Sequence, residues 1–157
     1  MQARMTNPAY LVPDAGQAIQ ALFQAMGHDM EQGIIAPATL MLVAMRGSQI
    51  NGGSACLYGD AAEARKAGVT DDQLITVAAW RQSPFFTDAE RAALALAEAA
   101  TRMNDRSADA IPDAVWDELV KHYDERQRAT LILWMATSNF FNTVNNIIQD
   151  PAGTAWS

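Results

Sequence analysis

The chain has little from which most active sites are assembled: one cysteine, Cys56, and two histidines, His28 and His122, in 157 residues. A lone thiol excludes an intramolecular disulfide and a cysteine-built zinc site, and two distant histidines form no metal-ligand motif, so no metal and no cofactor is expected. Apolar runs of about 18 residues, which a membrane-spanning helix needs, are absent. The opening stretch "MQARMTNPAYLVPDAG" lacks the basic-then-apolar order of a secretory signal, and the expectation is a cytoplasmic protein without membrane contact. Basic residues are also scarce, with 11 Lys and Arg against 18 Asp and Glu and a formal charge of −7. Phosphate backbones are held by clustered cations, so nucleic acid is not an expected partner. The Val, Ile and Thr alternation of strands is missing as well.

What remains is a chain that is 50% apolar and of one domain's length, enough for a single core over residues 1–157. Its apolar residues recur at three-to-four spacing, which predicts an all-α fold, a compact bundle of six or seven helices. Asp14 can cap a helix running to about Gln32, with Ile19, Leu22, Phe23 and Met26 on one face and Gly33 as its stop. Pro37 suits the first turn of the next helix, whose run Leu40 to Met45 is apolar nearly all round and therefore central and buried. "NGGS" ends it. Ser54 can cap a helix from about Ala55 to Lys66, which places Cys56 in a first turn and Asp60 four residues on along the same face.

Thr70 or Asp71 starts a helix through Trp80. Thr87 with Glu90 forms a capping box for Asp88 to Arg102. A polar loop, "NDRSADAIP", precedes Asp113 to His122, and a last helix runs from about Asp124 to Ile148. Trp80, Trp116, Trp134 and the pair Phe85–Phe86 read as core or interface anchors, Arg81 as a structural ion-pair partner, His122 as a helix-end cation, and His28 as a satisfied core or surface residue.

In this order "LVAMRGSQINGG", "AAEARKAG", "AAWRQSPFFTDAERAALALAEAAT" and "FNTVNN" resemble the alkylhydroperoxidase D-like branch of the carboxymuconolactone decarboxylase family, over about residues 37 to 153. The resemblance implies an all-helical homo-oligomer, a trimer or hexamer, with a Cys-x-x-Cys-x-x-x-His site after "SQING". Laid on that pattern, Cys56 takes the place of the peroxide-attacking cysteine. Gly53 stands where the resolving cysteine belongs, Asp60 where the histidine belongs, and Met41 where a glutamate completes the proton relay. The family's "WNRLN" becomes Phe141, Asn142, Thr143, Val144 and Asn145. Such a site has either diverged or been engineered.

Its remaining chemistry can be weighed. A helix N-terminus favours a thiolate by about 0.3–1 kcal/mol, up to about 2 when partly buried, while a nearby carboxylate opposes it by a comparable amount. Little net activation of Cys56 is expected, and a small inert thiol is the plain alternative. Asp60 is the sharper candidate: in an apolar pocket made by Met41, Leu57 and Phe141 its pKa would rise, leaving it a stronger base. Tyr58 is a candidate oxyanion donor, and Gly52, Gly53 and Gly59 would leave room for a ligand. Asn139, Asn142, Asn145 and Asn146 form an amide stripe that orients a substrate or satisfies helix ends and a subunit interface.

Three functions follow. The first is a thiol peroxidase-type oxidoreductase with reduced or lost dithiol activity, acting on a small-molecule substrate with an external thiol reductant. The second is a non-redox enzyme using Asp60 as general base, and the third a non-catalytic binding or assembly protein.

Overall fold

The computed structural model describes residues 2–106 and 110–153, so residues 107–109 of the expected polar loop lie outside the described residues. Among the described residues every regular element is helical. They run α1 (Pro8–Leu11), α2 (Pro13–Glu31), α3 (Pro37–Asn51), α4 (Ser54–Lys66), α5 (Asp71–Thr76), α6 (Asp88–Thr101), α7 (Asp113–His122) and α8 (Glu125–Ile148), with 3₁₀ turns at Val77–Gln82 and Met103–Asp105. No helix among them is long and apolar enough to cross a membrane.

The central helix is α3, as its all-round apolar run predicts. Pro37 starts it, and every residue from Thr39 to Met45 is buried because α4, α6 and α8 pack around it. Leu40, Leu42 and Val43 are almost wholly removed from water, each contributing about 1.5–3 kcal/mol. Trp134 of α8 donates its indole N–H to the Leu40 carbonyl at 2.9 Å, and Tyr123 donates its hydroxyl to the Ala89 carbonyl at 2.8 Å. Capping boxes at Thr70/Gln73, Thr87/Glu90 and Asp124/Gln127 set the starts of α5, α6 and α8.

Four local expectations change. Asp14 does not cap α2, which begins at Pro13 and holds Asp14 in its first turn, where a carboxylate suits the dipole. A further short helix, α1, precedes it, capped by the Asn7 side chain, which accepts from the Ala9 N–H at 3.0 Å. Ser54 does not cap α4 either, because the Gly53 carbonyl takes the first helical bond, from the Leu57 N–H at 2.8 Å. The helix expected from Thr70 through Trp80 divides: α5 stops at Thr76, and the 3₁₀ turn that follows puts Val77 and Trp80, three residues apart, on one buried side.

Trp80 turns inward to meet Glu98, a carboxylate only 5% exposed. Its indole N–H donates to Glu98 at 3.1 Å, the Arg46 Nη2 lies 2.6 Å away, and Arg81 closes the other oxygen while stacking over the Trp80 ring. Burial pushes the Glu98 carboxyl up, but the hydrogen bonds from Arg81, Arg46 and Trp80 outweigh it and hold the group below the usual carboxylate range. Phe86 joins Trp80 in the core, whereas Phe85 and Trp116 are exposed, Trp116 beneath the Arg128 guanidinium.

Glu98→Gln is therefore expected to lower stability at pH 7 by about 2–4 kcal/mol in urea denaturation, because buried Arg46 loses its counter-charge. Since the folded pKa is depressed, the wild-type advantage is present above the ordinary carboxylate pKa of about 4 and is lost as pH falls through the folded value. The two proteins should converge in acid.

Candidate active site

The site forms where α3 reverses into α4 and α8 crosses both. Gly52 makes that reversal in two residues by adopting φ +68°, which a residue with a side chain rarely does. Cys56 then falls in the first turn of α4, with Asp60 one turn later on the same face, both partly buried. From α8, Asn142 and Asn145 reach this face, and each is only 1% exposed.

Hydrogen-bond chemistry fixes the direction of the network. The Asn142 Nδ2 donates to the Ser138 carbonyl at 3.0 Å and to the Ser48 Oγ at 3.1 Å. A carbonyl only accepts, so the nitrogen must face Ser138 and Ser48, and the Ser48 proton is left to point at the Asp60 Oδ2, 3.0 Å away. Burial pushes the Asp60 carboxyl up, the Ser48 hydrogen bond pulls it partly back, and the balance is a pKa of about 6. Beside it the Asn145 Nδ2 donates to the Cys56 Sγ at 3.2 Å. Burial raises the Cys56 thiol, Asn145 opposes this, and the charges of Asp60 and Asp150 raise it further. The helix N-terminus does not win, and Cys56 is held as a thiol one turn from the Asp60 carboxyl group.

The sequence candidates do not all gather here. Cys56, Asp60, Asn142 and Asn145 do. Gly53 leaves no room for a ligand: a Cβ on it would lie 1.9 Å from the Asn142 Oδ1, so the amide already fills the space. Met41 is a buried core residue two turns before Ser48 on α3. Tyr58 is 63% exposed, since two residues along a helix point nearly opposite ways, and Gly59 is open, with nothing within 4 Å of where a Cβ would stand. Phe141 sits one step round α8 from Asn142 and packs edge-on against Phe23 of α2, 5.9 Å between centroids, in an apolar cleft with Pro8, Ile19 and Val144.

Asn139 and Asn146 tie α8 to the end of α3, accepting from the Asn51 side chain at 2.9 Å and donating to the Asn51 carbonyl at 2.8 Å. His28 is exposed, and His122 meets Glu118 at a helix end. Sequence reasoning missed Ser48, although a serine seven residues after Met41 shares the buried side of an apolar helix. Among the described residues the buried Oδ1 atoms of Asn142 and Asn145 have no hydrogen-bond partner, a cost of about 1–3 kcal/mol for each that stays unsatisfied.

The chain resembles known proteins in sequence and in fold. The model of the carboxymuconolactone decarboxylase family matches residues 13–99. The chain is 32% identical over 130 residues to the uncharacterized protein YdfG of Bacillus subtilis, covering 80% of this chain and 86% of that one. It is 35% identical over 83 residues to the uncharacterized protein YnjA of Escherichia coli, covering 53% of this chain and 43% of the other. Among solved structures, a protein of unknown function from Agrobacterium tumefaciens, described as a candidate antioxidant defence protein AhpD, superposes with a TM-score of 0.85 at 24% identity, over 98% of this chain and 100% of its own. The debrominase Bmp8, as a cysteine-to-alanine variant in complex with 2,3,4-tribromopyrrole, gives 0.74 at 25% identity, over 88% of this chain and 70% of its own.

Two outcomes are expected of the site as built. The folded Asp60 pKa, about 6, exceeds its unfolded value near 3.8, so the folded state holds the proton more tightly and stability falls as pH rises between these values. Asp60→Asn should therefore stabilise the protein above pH 6, by about 1–2 kcal/mol, and flatten that part of the pH–stability curve measured by urea denaturation. Gly53→Ala should cost about 1–3 kcal/mol through collision with Asn142, and most of that cost should vanish in an Asn142→Ala background.

Proposed function

The chain belongs to the carboxymuconolactone decarboxylase family, and from that premise we propose that it is a single-thiol oxidoreductase of AhpD-like fold that reduces a small hydroperoxide at Cys56. Asp60 takes the thiol proton as the sulfur attacks the terminal peroxide oxygen. The O–O bond breaks, and the leaving alkoxide receives the proton back from Asp60. This leaves an alcohol and a Cys56 sulfenic acid. One thiol of an external dithiol then condenses with the sulfenic acid to release water, and its second thiol displaces the mixed disulfide, restoring Cys56 and releasing the oxidised dithiol. No cofactor enters the cycle. A reducing cytoplasm would supply both thiols.

The observation that carries this reading is the placement of Cys56 and Asp60 on one face of α4, each held by an α3 or α8 side chain. Burial raises Asp60 to about 6, close to the 6.5 or so of an unperturbed imidazole. A carboxylate at the histidine position of the resembled motif would thus accept a proton in the same pH range. The difference is charge. A protonated imidazole stabilises a waiting thiolate, whereas Asp60 repels one, so proton and sulfur must move together. The sulfur of such a site can also meet a carbon-bound halogen, a class suggested by the debrominase among the fold neighbours.

A second reading is favoured by the raised Cys56 thiol: Asp60 alone acts as general base on a carbon acid, with Cys56 lining the site. The protein is also proposed to be a homo-oligomer, a trimer or hexamer, because Leu22 and Phe23 of α2 and Phe140 and Ile147 of α8 leave apolar surface uncovered in the single chain.

Hydroperoxide consumption with added dithiol should disappear in Cys56→Ser and fall about 100-fold in Asp60→Asn. The wild-type rate should rise with pH through about 6, as Asp60 becomes carboxylate, and that inflection should be missing from Asp60→Asn. Turnover unchanged in Cys56→Ser ends the thiol reading, and proton exchange retained there but lost in Asp60→Asn establishes the second. Neither variant altering any activity leaves a non-catalytic scaffold. Light scattering should find a multiple of 17.0 kDa for the wild type and a smaller species for Phe23→Asp.

A further inference from the structure

We infer that the site selects its substrates and reductants by charge, because Cys56 shares a helix face with Asp60 and is held by Asn145, the residue to which Asp150 is anchored, and these two carboxylates, without ion-pair partners among the described residues, turn away anions and admit neutral or cationic molecules. The inference deepens the proposed function and rests on Cys56 as the reacting atom.

The end of α8 builds the second carboxylate into the site. Gln149 takes a left-handed conformation, φ 55° and ψ 48°, so the chain folds back and the Asp150 N–H donates to the Asn145 carbonyl at 2.9 Å. That same Asn145 holds the Cys56 sulfur through its side chain. Asp150 is therefore anchored to the residue that touches the thiol, while Asp60 stands one helical turn from it and is oriented by Ser48. The ion pairs among the described residues include neither carboxylate. A cation at this end of the fold, Arg4, is directed to the carbonyl end of α8, its Nη1 donating to the Ile147 carbonyl at 3.2 Å. Both carboxylates act on the thiol in the direction of like-charge repulsion. An approaching anion meets the same field, and the chain's overall charge of −7 adds to it.

Alkylation of the full chain tests this directly, since Cys56 is its one thiol and the product is read by mass. The sulfur displaces iodide from iodoacetamide, which is neutral, or from iodoacetate, which is anionic, and the thiol proton passes to solvent. With N-acetylcysteine amide as the free-thiol reference, the iodoacetate-to-iodoacetamide rate ratio at about pH 8 should be depressed on the order of tenfold in the protein. Asp150→Asn should recover roughly three- to tenfold of that, and rising salt should narrow the gap in the unaltered chain. A protein ratio equal to the reference, or one indifferent to both Asp150→Asn and salt, overturns the inference. If Asp150→Asn unsettles the end of α8, the salt series on the unaltered chain decides. Absence of peroxide turnover with the charge discrimination intact would remove the peroxidase reading alone, whereas a Cys56 inert to both reagents would remove the two together.

Discussion

Asn142 approaches Gly53 so closely that no side-chain carbon fits between them, and the order of the site follows from that contact. A glycine at the α3–α4 turn lets α8 settle against it, and the seated amide then donates to Ser48 and sets the direction of the Ser48 proton. One turn further along α8, Asn145 arrives at the sulfur. The resemblance places a resolving cysteine at Gly53. Here the volume that such a side chain would take is occupied by the Asn142 amide, so the position is packed and not empty.

An aspartate at the position where the resemblance expects a histidine would change the kind of activation proposed for the thiol more than its pH. Burial brings a carboxylate to an imidazole-like pKa, yet the charge it carries when basic opposes the thiolate that an imidazolium would favour. Such a pair suits a thiol that ionises only as it attacks. It also costs stability, because the ionised Asp60 is poorly solvated and two buried amide oxygens nearby have no donor among the described residues. Stability is supplied elsewhere, by the core around α3 and by Glu98 among its arginines, where every charged oxygen has a partner.

How much of this was legible in the sequence depends on the range of the interaction. The all-α class, the central position of α3, the capping box at Thr87 and Glu90, and the one-turn spacing of Cys56 and Asp60 follow from local periodicity and local hydrogen bonds, which a sequence displays directly. The family was legible too, through the stretches around "SQINGG" and "AAWR". Ser48 and Glu98 were not singled out, since a polar residue gains its meaning from partners 12 to 94 residues away.

Tertiary packing decided the rest. It left Tyr58 and Gly59 on open parts of α4 and turned Phe141 toward α2, because only the relative rotation of helices settles which of several apolar faces is covered. It divided α5 from the turn that carries Trp80 inward, and it brought Asp150 back over Asn145. The sequence by itself determined which segments are helical and that a thiol and a carboxylate share one helix face. Only the folded chain decided what those two groups meet, since solvation, hydrogen-bond direction and charge environment are properties of neighbours that the chain brings together from a distance.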